Sequence, residues 1–180
     1  MSKSQNPISV KSRKLIMQAL LNLMQEKEYS SITITELVQN AKLVRKTFYR
    51  NFKNKDEVLD EFIEYLFQGY FKMLENLTEK NQLEIIKAYF IFWKAYASIL
   101  KLLEKNNLLT VILTKYDELL PKINSYYDGS PADDSMQSCY EDAYTSGGYW
   151  RLLCKWIQRD FRETPEEMAD LAFGFISSYH

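Results

Sequence analysis

Apolar residues recur at helical spacing through most of the chain, and this pattern predicts an all-α protein. The first such segment predicts an amphipathic helix from about Ser9 to Glu26, with its apolar stripe at Leu15, Ile16, Ala19, Leu20, Leu23 and Met24. Only five glycines and four prolines occur in 180 residues, so few positions break a helix. We expect about nine helices in two domains, residues 1–55 and 56–180.

Two further short helices are predicted near the N-terminus, close enough together to form a helix-turn-helix. Thr33 and Glu36 have the spacing of a capping box, so a short helix should begin there. After a brief turn, a third helix should run over residues 44–51 and direct Phe48 and Phe52 inward. Asn54 is a suitable cap for the long helix that follows. These three helices form the predicted head of the protein.

The rest of the chain predicts longer helices with an aromatic-rich interior. One helix should span residues 82–105 and is apolar on nearly every face between Ala88 and Leu103, so it should be mostly buried. A helix over residues 108–126 should be bent or interrupted at Pro121. Another should span 135–160, and the Thr-Pro-Glu-Glu segment at 164–167 should start the last one. Together they predict a helical bundle.

Charge is distributed unevenly between the two predicted domains. The net charge is −1, but residues 1–55 contain 11 Lys or Arg and three Glu, which makes this part +8 and the remainder −9. A basic head on an acidic body indicates that the head binds a polyanion, although a solvated surface also accounts for such charge. The sequence has no apolar run long enough for a transmembrane helix and no apolar core of a signal peptide. We therefore expect a cytoplasmic protein.

Residue types needed for catalysis or metal binding are sparse. The only histidine is His180, and the two cysteines, Cys139 and Cys154, form no cluster with metal-ligand spacing. No glycine-rich phosphate loop occurs. We therefore expect no enzymatic activity, no metal and no cofactor.

The third helix carries side chains suited to the major groove of DNA. This groove is about 12 Å wide and accommodates one α-helix, whose side chains must be long and hydrogen-bonding to reach the bases. The predicted outer face offers Arg45, Lys46 and Thr47, while Tyr49 and Arg50 could reach phosphates from its end. Lys55 begins the next helix, where a cation favours phosphate binding.

Residues 10–60 resemble the DNA-binding domain of the TetR family of transcription regulators. The similarity lies in Ile32–Ala41, Arg45–Phe52 and Lys53–Leu59, above all in the Thr-Phe-Tyr-x-x-Phe core and the lysine, glutamate and leucine after it. Residues 146–167 resemble the last two helices of the TetR subgroup that includes regulators near dihydroxyacetone-kinase genes. The resemblance implies an all-α protein with a helix-turn-helix head and a ligand-sensing, dimerising helical body.

The resemblance also implies individual DNA contacts. Positions near bases or their phosphates are Thr35, Arg45, Lys46 and Thr47, and positions near the DNA backbone are Thr33, Tyr49, Arg50, Asn51 and Lys55. Two positions depart from the family pattern. Lys42 stands where the family usually has glycine and adds charge beside the DNA, and Val44 stands where it often has the capping residues serine or threonine.

In the body, the resemblance places the dimer interface in the last two helices, roughly 135–160 and 165–178. Our interface candidates are Gly147, Gly148, Trp156 and Phe173. The two adjacent glycines within a helix indicate either close packing of a partner helix or a kink. Most aromatic residues should fill the core, but a small-molecule cavity is also consistent with the composition. The candidates for lining it are Phe92, Trp93, Tyr96, Tyr116 and Trp150.

We therefore expect a homodimeric regulator, more often a repressor in this family, that binds a roughly palindromic double-stranded DNA operator and responds to an unknown small molecule. The alternative is a helical protein-interaction module that has lost specific DNA binding, which the departures at Lys42 and Val44 would fit. Specific, salt-sensitive binding to DNA upstream of the chain's own gene would distinguish the two.

Overall fold

The computed structural model describes residues 7–128 and 135–177, and every regular element in these ranges is helical, which confirms the all-α prediction. A 3-10 turn at Tyr29–Ser31 follows the first helix. None of the described helices is long and apolar enough to cross a membrane. The nine α-helices found in the described ranges are α1 (Pro7–Glu26), α2 (Ile34–Asn40), α3 (Arg45–Asn51), α4 (Lys55–Glu75), α5 (Gln82–Ala95), α6 (Ala97–Lys105), α7 (Thr110–Asp128), α8 (Met136–Gln158) and α9 (Pro165–Ser177).

The chain divides into two compact units, and the division falls inside α4, after Leu66. This is later than the expected boundary at residue 55. The first turns of α4 bury Val58, Leu59, Phe62 and Ile63, so this part of the helix contributes to the core of the N-terminal unit. We call the part up to residue 66 the head and the part from residue 67 the body.

The head consists of α1, α2 and α3 packed against one another, together with the start of α4. Both predicted caps are present. The Oγ1 atom of Thr33 accepts a hydrogen bond from the Glu36 amide at 3.2 Å, and the Glu36 carboxylate accepts one from the Thr33 amide at 2.9 Å. The side chain of Asn54 likewise accepts from the Glu57 amide at 2.9 Å. These bonds satisfy amides that the first turn of a helix leaves without partners.

In the body, α9 packs along α5, α7 packs against α8, and α6 contacts both α5 and α8. The single helix predicted over 82–105 is instead two helices, because the backbone leaves helical geometry at Tyr96, where φ is −104° and ψ is 23°. The break allows Leu100 and Leu103 of α6 to be fully buried.

Pro121 lies inside α7, and the helix continues through it. Ser135 and Thr164 cap α8 and α9 by accepting from the amides of Ser138 and Glu167.

The capping box makes the stability of the head depend on pH. The hydrogen bond from the Lys27 ammonium to Glu36, 2.7 Å long, and the bonds from Thr33 lower the pKa of Glu36 to about 2. A glutamate in an unfolded chain titrates near 4.3. The ionised form therefore stabilises the fold, fully above about pH 4.5, and this contribution is lost as the pH falls towards 2.

Replacing Glu36 by glutamine should lower stability at pH 7 because the charge-assisted bond to Lys27 is lost. The difference between the original chain and Glu36→Gln should shrink as the pH falls from about 4.5 to 2. Urea unfolding at several pH values, followed by circular dichroism, measures it. Glu26→Gln, at an exposed position on α1, serves as the control. A Glu36→Gln difference that does not change with pH would contradict this assignment.

Candidate nucleic-acid interface

Helix α3 has one buried side and one exposed, cationic side. Phe48 is fully buried, and Phe52, which ends the helix, is almost so. Their rings lie 6.0 Å apart. The side chains of Arg45, Lys46, Tyr49 and Arg50 are exposed. The predicted division of this helix into a core face and a polar outer face is therefore present in the structure.

The turn before α3 is regular, although Lys42 stands where the family usually has glycine. The amide of Leu43 donates to the Val38 carbonyl at 2.8 Å, which is the long-range bond of a Schellman motif at the end of α2. Lys42 occupies the left-handed position of this motif, with φ at 54°. Glycine adopts that conformation more easily, and a side chain there costs roughly 1 kcal/mol. The ammonium of Lys42 is exposed beside the start of α3.

Arg13 of α1 holds the C-terminal end of α3, a role that sequence analysis missed. One guanidinium nitrogen donates to the Asn51 carbonyl at 2.9 Å, and another donates to Glu61 of α4 at 2.6 Å. A second ion-pair contact joins Arg13 to the other oxygen of Glu61. The guanidinium also lies 4.5 Å from the ring centre of Phe52. Its position three residues before the buried Ile16 was the available signal, because the two share a helix face.

Two of the predicted DNA-contact residues use their side chains inside the head. The Asn51 amide donates to the Thr47 carbonyl at 2.7 Å, and its oxygen accepts from the Ser9 hydroxyl at 2.5 Å. The Lys55 ammonium donates to three carbonyls, those of Tyr29 at 2.6 Å, Ser30 at 3.0 Å and Ile32 at 3.2 Å. Lys55 thus holds the connection between α1 and α2, and its role as a phosphate contact stays an untested prediction.

The remaining predicted DNA contacts lie at the surface or close to it. Arg45 donates to the hydroxyl of Tyr49 at 3.2 Å, one helical turn away, and its guanidinium lies 5.6 Å from the centre of that ring. This pair keeps the two long side chains together on the exposed side. Thr33 and Thr35 are exposed at the start of α2, and Thr47 is half-buried. Thr33 is also the cap of α2, so its hydroxyl has a structural role.

Side chains of the predicted ligand site pack mainly against other rings. Phe92, Trp93 and Tyr116 are buried, and Tyr96 and Trp150 are half-buried. Phe92 contacts Trp93 and Tyr96, with ring centres 5.1 and 4.8 Å apart. An open groove of about 710 Å³ on α1 and another of about 390 Å³ on α9 are both lined by other residues.

Two tyrosines that sequence analysis did not select join Tyr116 in the interior of the body. Tyr89 of α5 lies 5.6 Å from Tyr116 of α7 and 5.4 Å from Tyr149 of α8, measured between ring centres. Burial raises the pKa of all three phenols well above the usual value, so they stay protonated at neutral pH. Tyr89 was concealed because it lies within the apolar run Ala88–Trp93 and looks like ordinary core. Tyr149 follows two glycines and had no such signal.

The four interface candidates fall into different environments. Trp156 is buried in the body, between Phe90 and Phe161, and not at its surface. Its indole nitrogen donates to the Glu163 carbonyl at 3.0 Å. Phe173 is half-buried. Gly147 and Gly148 lie in unbroken helix, and a Cβ atom added to either would meet no atom within 4 Å. Packing within the body therefore does not require glycine at these positions.

Comparison with known proteins identifies relatives of the head and of the fold. Residues 16–62 match the family described as bacterial regulatory proteins, tetR family. The chain is 35% identical over 68 residues to the HTH-type dhaKLM operon transcriptional activator DhaS of Lactococcus lactis subsp. lactis (strain IL1403). That match covers 38% of this chain and 34% of the relative, so the chain spans about a third of the length of the regulator it resembles.

Two solved structures share the fold over nearly the whole chain. The Lin0861 protein of Listeria innocua superposes with a TM-score of 0.79 at 14% identity, over 100% of this chain and 97% of the other. The dihydroxyacetone kinase operon activator DhaS superposes with a TM-score of 0.59 at 18% identity, over 93% and 95% of the two chains. At these identities the likeness concerns the fold alone.

Replacing Lys55 by methionine should destabilise the head by about 1–3 kcal/mol, because three carbonyls lose a charged donor. The same substitution at Lys53, whose side chain is 89% exposed, should change stability by about 0.5 kcal/mol or less. Urea unfolding of both variants measures the difference. Equal stability of the two variants would show that the Lys55 contacts are dispensable.

Proposed function

We propose that this chain, whose head matches the tetR family of bacterial regulatory proteins, is a transcription regulator that binds operator DNA through α3. The observation that carries the proposal is the division of α3: Phe48 is buried, whereas Arg45, Lys46 and Arg50 are exposed. A helix held in this way can enter a major groove with its cationic side towards the bases. The net charge of +8 over residues 1–55 favours approach to DNA.

In this proposal the contacts divide into reading and positioning groups. Arg45 and Lys46 reach base edges, where an arginine or lysine pairs best with guanine. Thr35, Tyr49, Arg50 and the exposed Lys42 bind phosphates and set the register of the helix. Thr47, which follows Arg45 and Lys46 on α3, is the third residue proposed to face the bases. The activity of the DhaS relative is that of an operon activator, which supports DNA binding by the matching head.

We further propose that two copies pair through α8 and α9, so that two heads meet two half-sites of a roughly palindromic operator. The outer side of α8 presents Met136, Tyr140 and Tyr144, which are 78%, 72% and 74% exposed. On α9, Leu171 and Phe175 are 50% and 54% exposed and border the smaller groove. A group of large, exposed apolar side chains on two helices indicates a surface that a second chain covers.

The body is also proposed to bind a small molecule that changes the affinity for DNA. Support comes from the buried indole nitrogens of Trp93 and Trp150, for which the described residues provide no hydrogen-bond acceptor. Regulation requires that the ligand bind two states of the protein with different affinity. Dihydroxyacetone is the first probe, because the structural relative is named after the operon of its kinase. A rise in melting temperature that Trp93→Phe abolishes would support this site.

The direction of regulation depends on where the operator lies relative to the promoter. The family pattern favours repression, whereas the DhaS relative is named as an activator. A reporter gene behind the chain's own upstream DNA, with and without the protein, decides between them: reporter output falls for a repressor and rises for an activator.

Replacing Arg45 or Lys46 by alanine should abolish the preference for the operator over unrelated DNA, with a loss of about 1–3 kcal/mol for a bidentate base contact. Gel-shift titration at several salt concentrations, using DNA upstream of the chain's own gene, measures affinity and its salt dependence. Lys72→Ala, at an exposed position in the body, serves as the control. Unchanged selectivity in both variants, or no specific binding by the original chain, would favour the protein-interaction alternative.

Changing Leu171 to glutamate should convert the dimer to a monomer, because each copy would bring a charge into an apolar contact. Light scattering after size-exclusion chromatography measures the mass, and a circular-dichroism spectrum checks the fold. Ile91→Glu, on the exposed side of α5, is the matched control and should remain dimeric. A Leu171→Glu variant of unchanged mass would place the interface elsewhere.

A further inference from the structure

Val44 is an exposed apolar residue at the leading end of α3. Its side chain is 67% exposed and its sequence neighbours Lys42, Arg45 and Lys46 are exposed cations. Val44 is the N-cap of α3, yet it makes no side-chain capping bond. Serine, threonine, aspartate or asparagine would stabilise the helix at this position. The side chain of Val44 thus neither packs in the core nor caps the helix.

Isolated exposed apolar residues are common on protein surfaces, so exposure alone assigns no role to Val44. Its position does. In a helix-turn-helix the first residues of the second helix are the ones that contact base edges. The edges in the major groove consist of hydrogen-bonding groups and one apolar group, the C5-methyl of thymine. A valine methyl has no hydrogen bond to offer, and the thymine methyl is the group it can contact favourably.

We propose that Val44 is a specificity-determining residue that contacts a thymine methyl group in each operator half-site. This inference rests on the proposed function, because it requires α3 to lie in the major groove. It adds an apolar contact to the polar contacts of Arg45 and Lys46, and it names the base that accepts the contact. Valine presents two methyl groups at this position, whereas serine presents none and threonine one.

Uracil in place of thymine tests the contact, because the two bases differ only in that methyl. The probes are operator duplexes from DNA upstream of the chain's own gene, with each thymine of a half-site replaced in turn by deoxyuridine. For the original chain, uracil at one of these positions should weaken binding about four-fold, as expected for the loss of one buried methyl group. Val44→Ser, whose side chain has no methyl group, should bind the thymine and uracil forms of that duplex equally. Val44→Ala keeps one methyl group, its Cβ, and should lose less affinity to uracil than the original chain does. The alanine variant separates loss of the methyls from gain of a cap.

Ile8→Ser is the matched control, because Ile8 on α1 is also 67% exposed. It should keep the four-fold effect of uracil. The inference is overturned if uracil has no effect at any position, or if Val44→Ser and Val44→Ala keep the same loss as the original chain. Specific binding without a methyl effect would remove only this inference. Failure of the original chain to prefer its operator would remove the proposed function as well.

Discussion

The position of α3 depends on Arg13. A seven-residue helix has too few internal hydrogen bonds to be stable alone, so its conformation is set by what it packs against. Phe48 and Phe52 fix one side of it in the core, and the Arg13 guanidinium fixes its C-terminal end through the Asn51 carbonyl. The same guanidinium pairs with Glu61, so α1, α3 and α4 meet at one group. An arginine is suited to this role because its planar donors reach a carboxylate and a carbonyl together.

Anchoring at that end explains how the opposite end of α3 tolerates unfavourable local choices. Lys42 is held in a left-handed conformation, and Val44 provides no side-chain cap. Each choice costs free energy of about 1 kcal/mol relative to glycine or serine. A different left-handed pair, Asp160 and Phe161 after α8, shows local compensation: the Phe161 carbonyl accepts from Lys94 at 2.9 Å. Departures from local preference are expected at functional positions, and those at the start of α3 adjoin its exposed cations.

Local signals predicted much of the fold, because caps and apolar spacing act within a few residues. The capping residues Thr33, Asn54 and Thr164 were identified correctly from neighbours three positions away. The missed contacts join residues far apart in sequence. Arg13 meets Glu61 across 48 residues, and Lys55 meets the Tyr29 carbonyl across 26. Arginine and lysine are common on solvated surfaces. Composition therefore could not show that Arg13 and Lys55 make contacts within the head.

The aromatic residues of α8 show a different case, in which composition is uninformative but sequence spacing is not. Tyr140 and Tyr144 are exposed, whereas Tyr149 is buried beside Tyr89 and Tyr116. Composition counts the three alike, but helical phase separates them. The two exposed tyrosines are four residues apart, and the same spacing leads next to Gly148, so one stripe of α8 faces outward. Tyr149 is five residues from Tyr144 and lies on the inner side. A single helix therefore serves two proposed purposes, pairing on one side and ligand response on the other, through residues that can be changed independently.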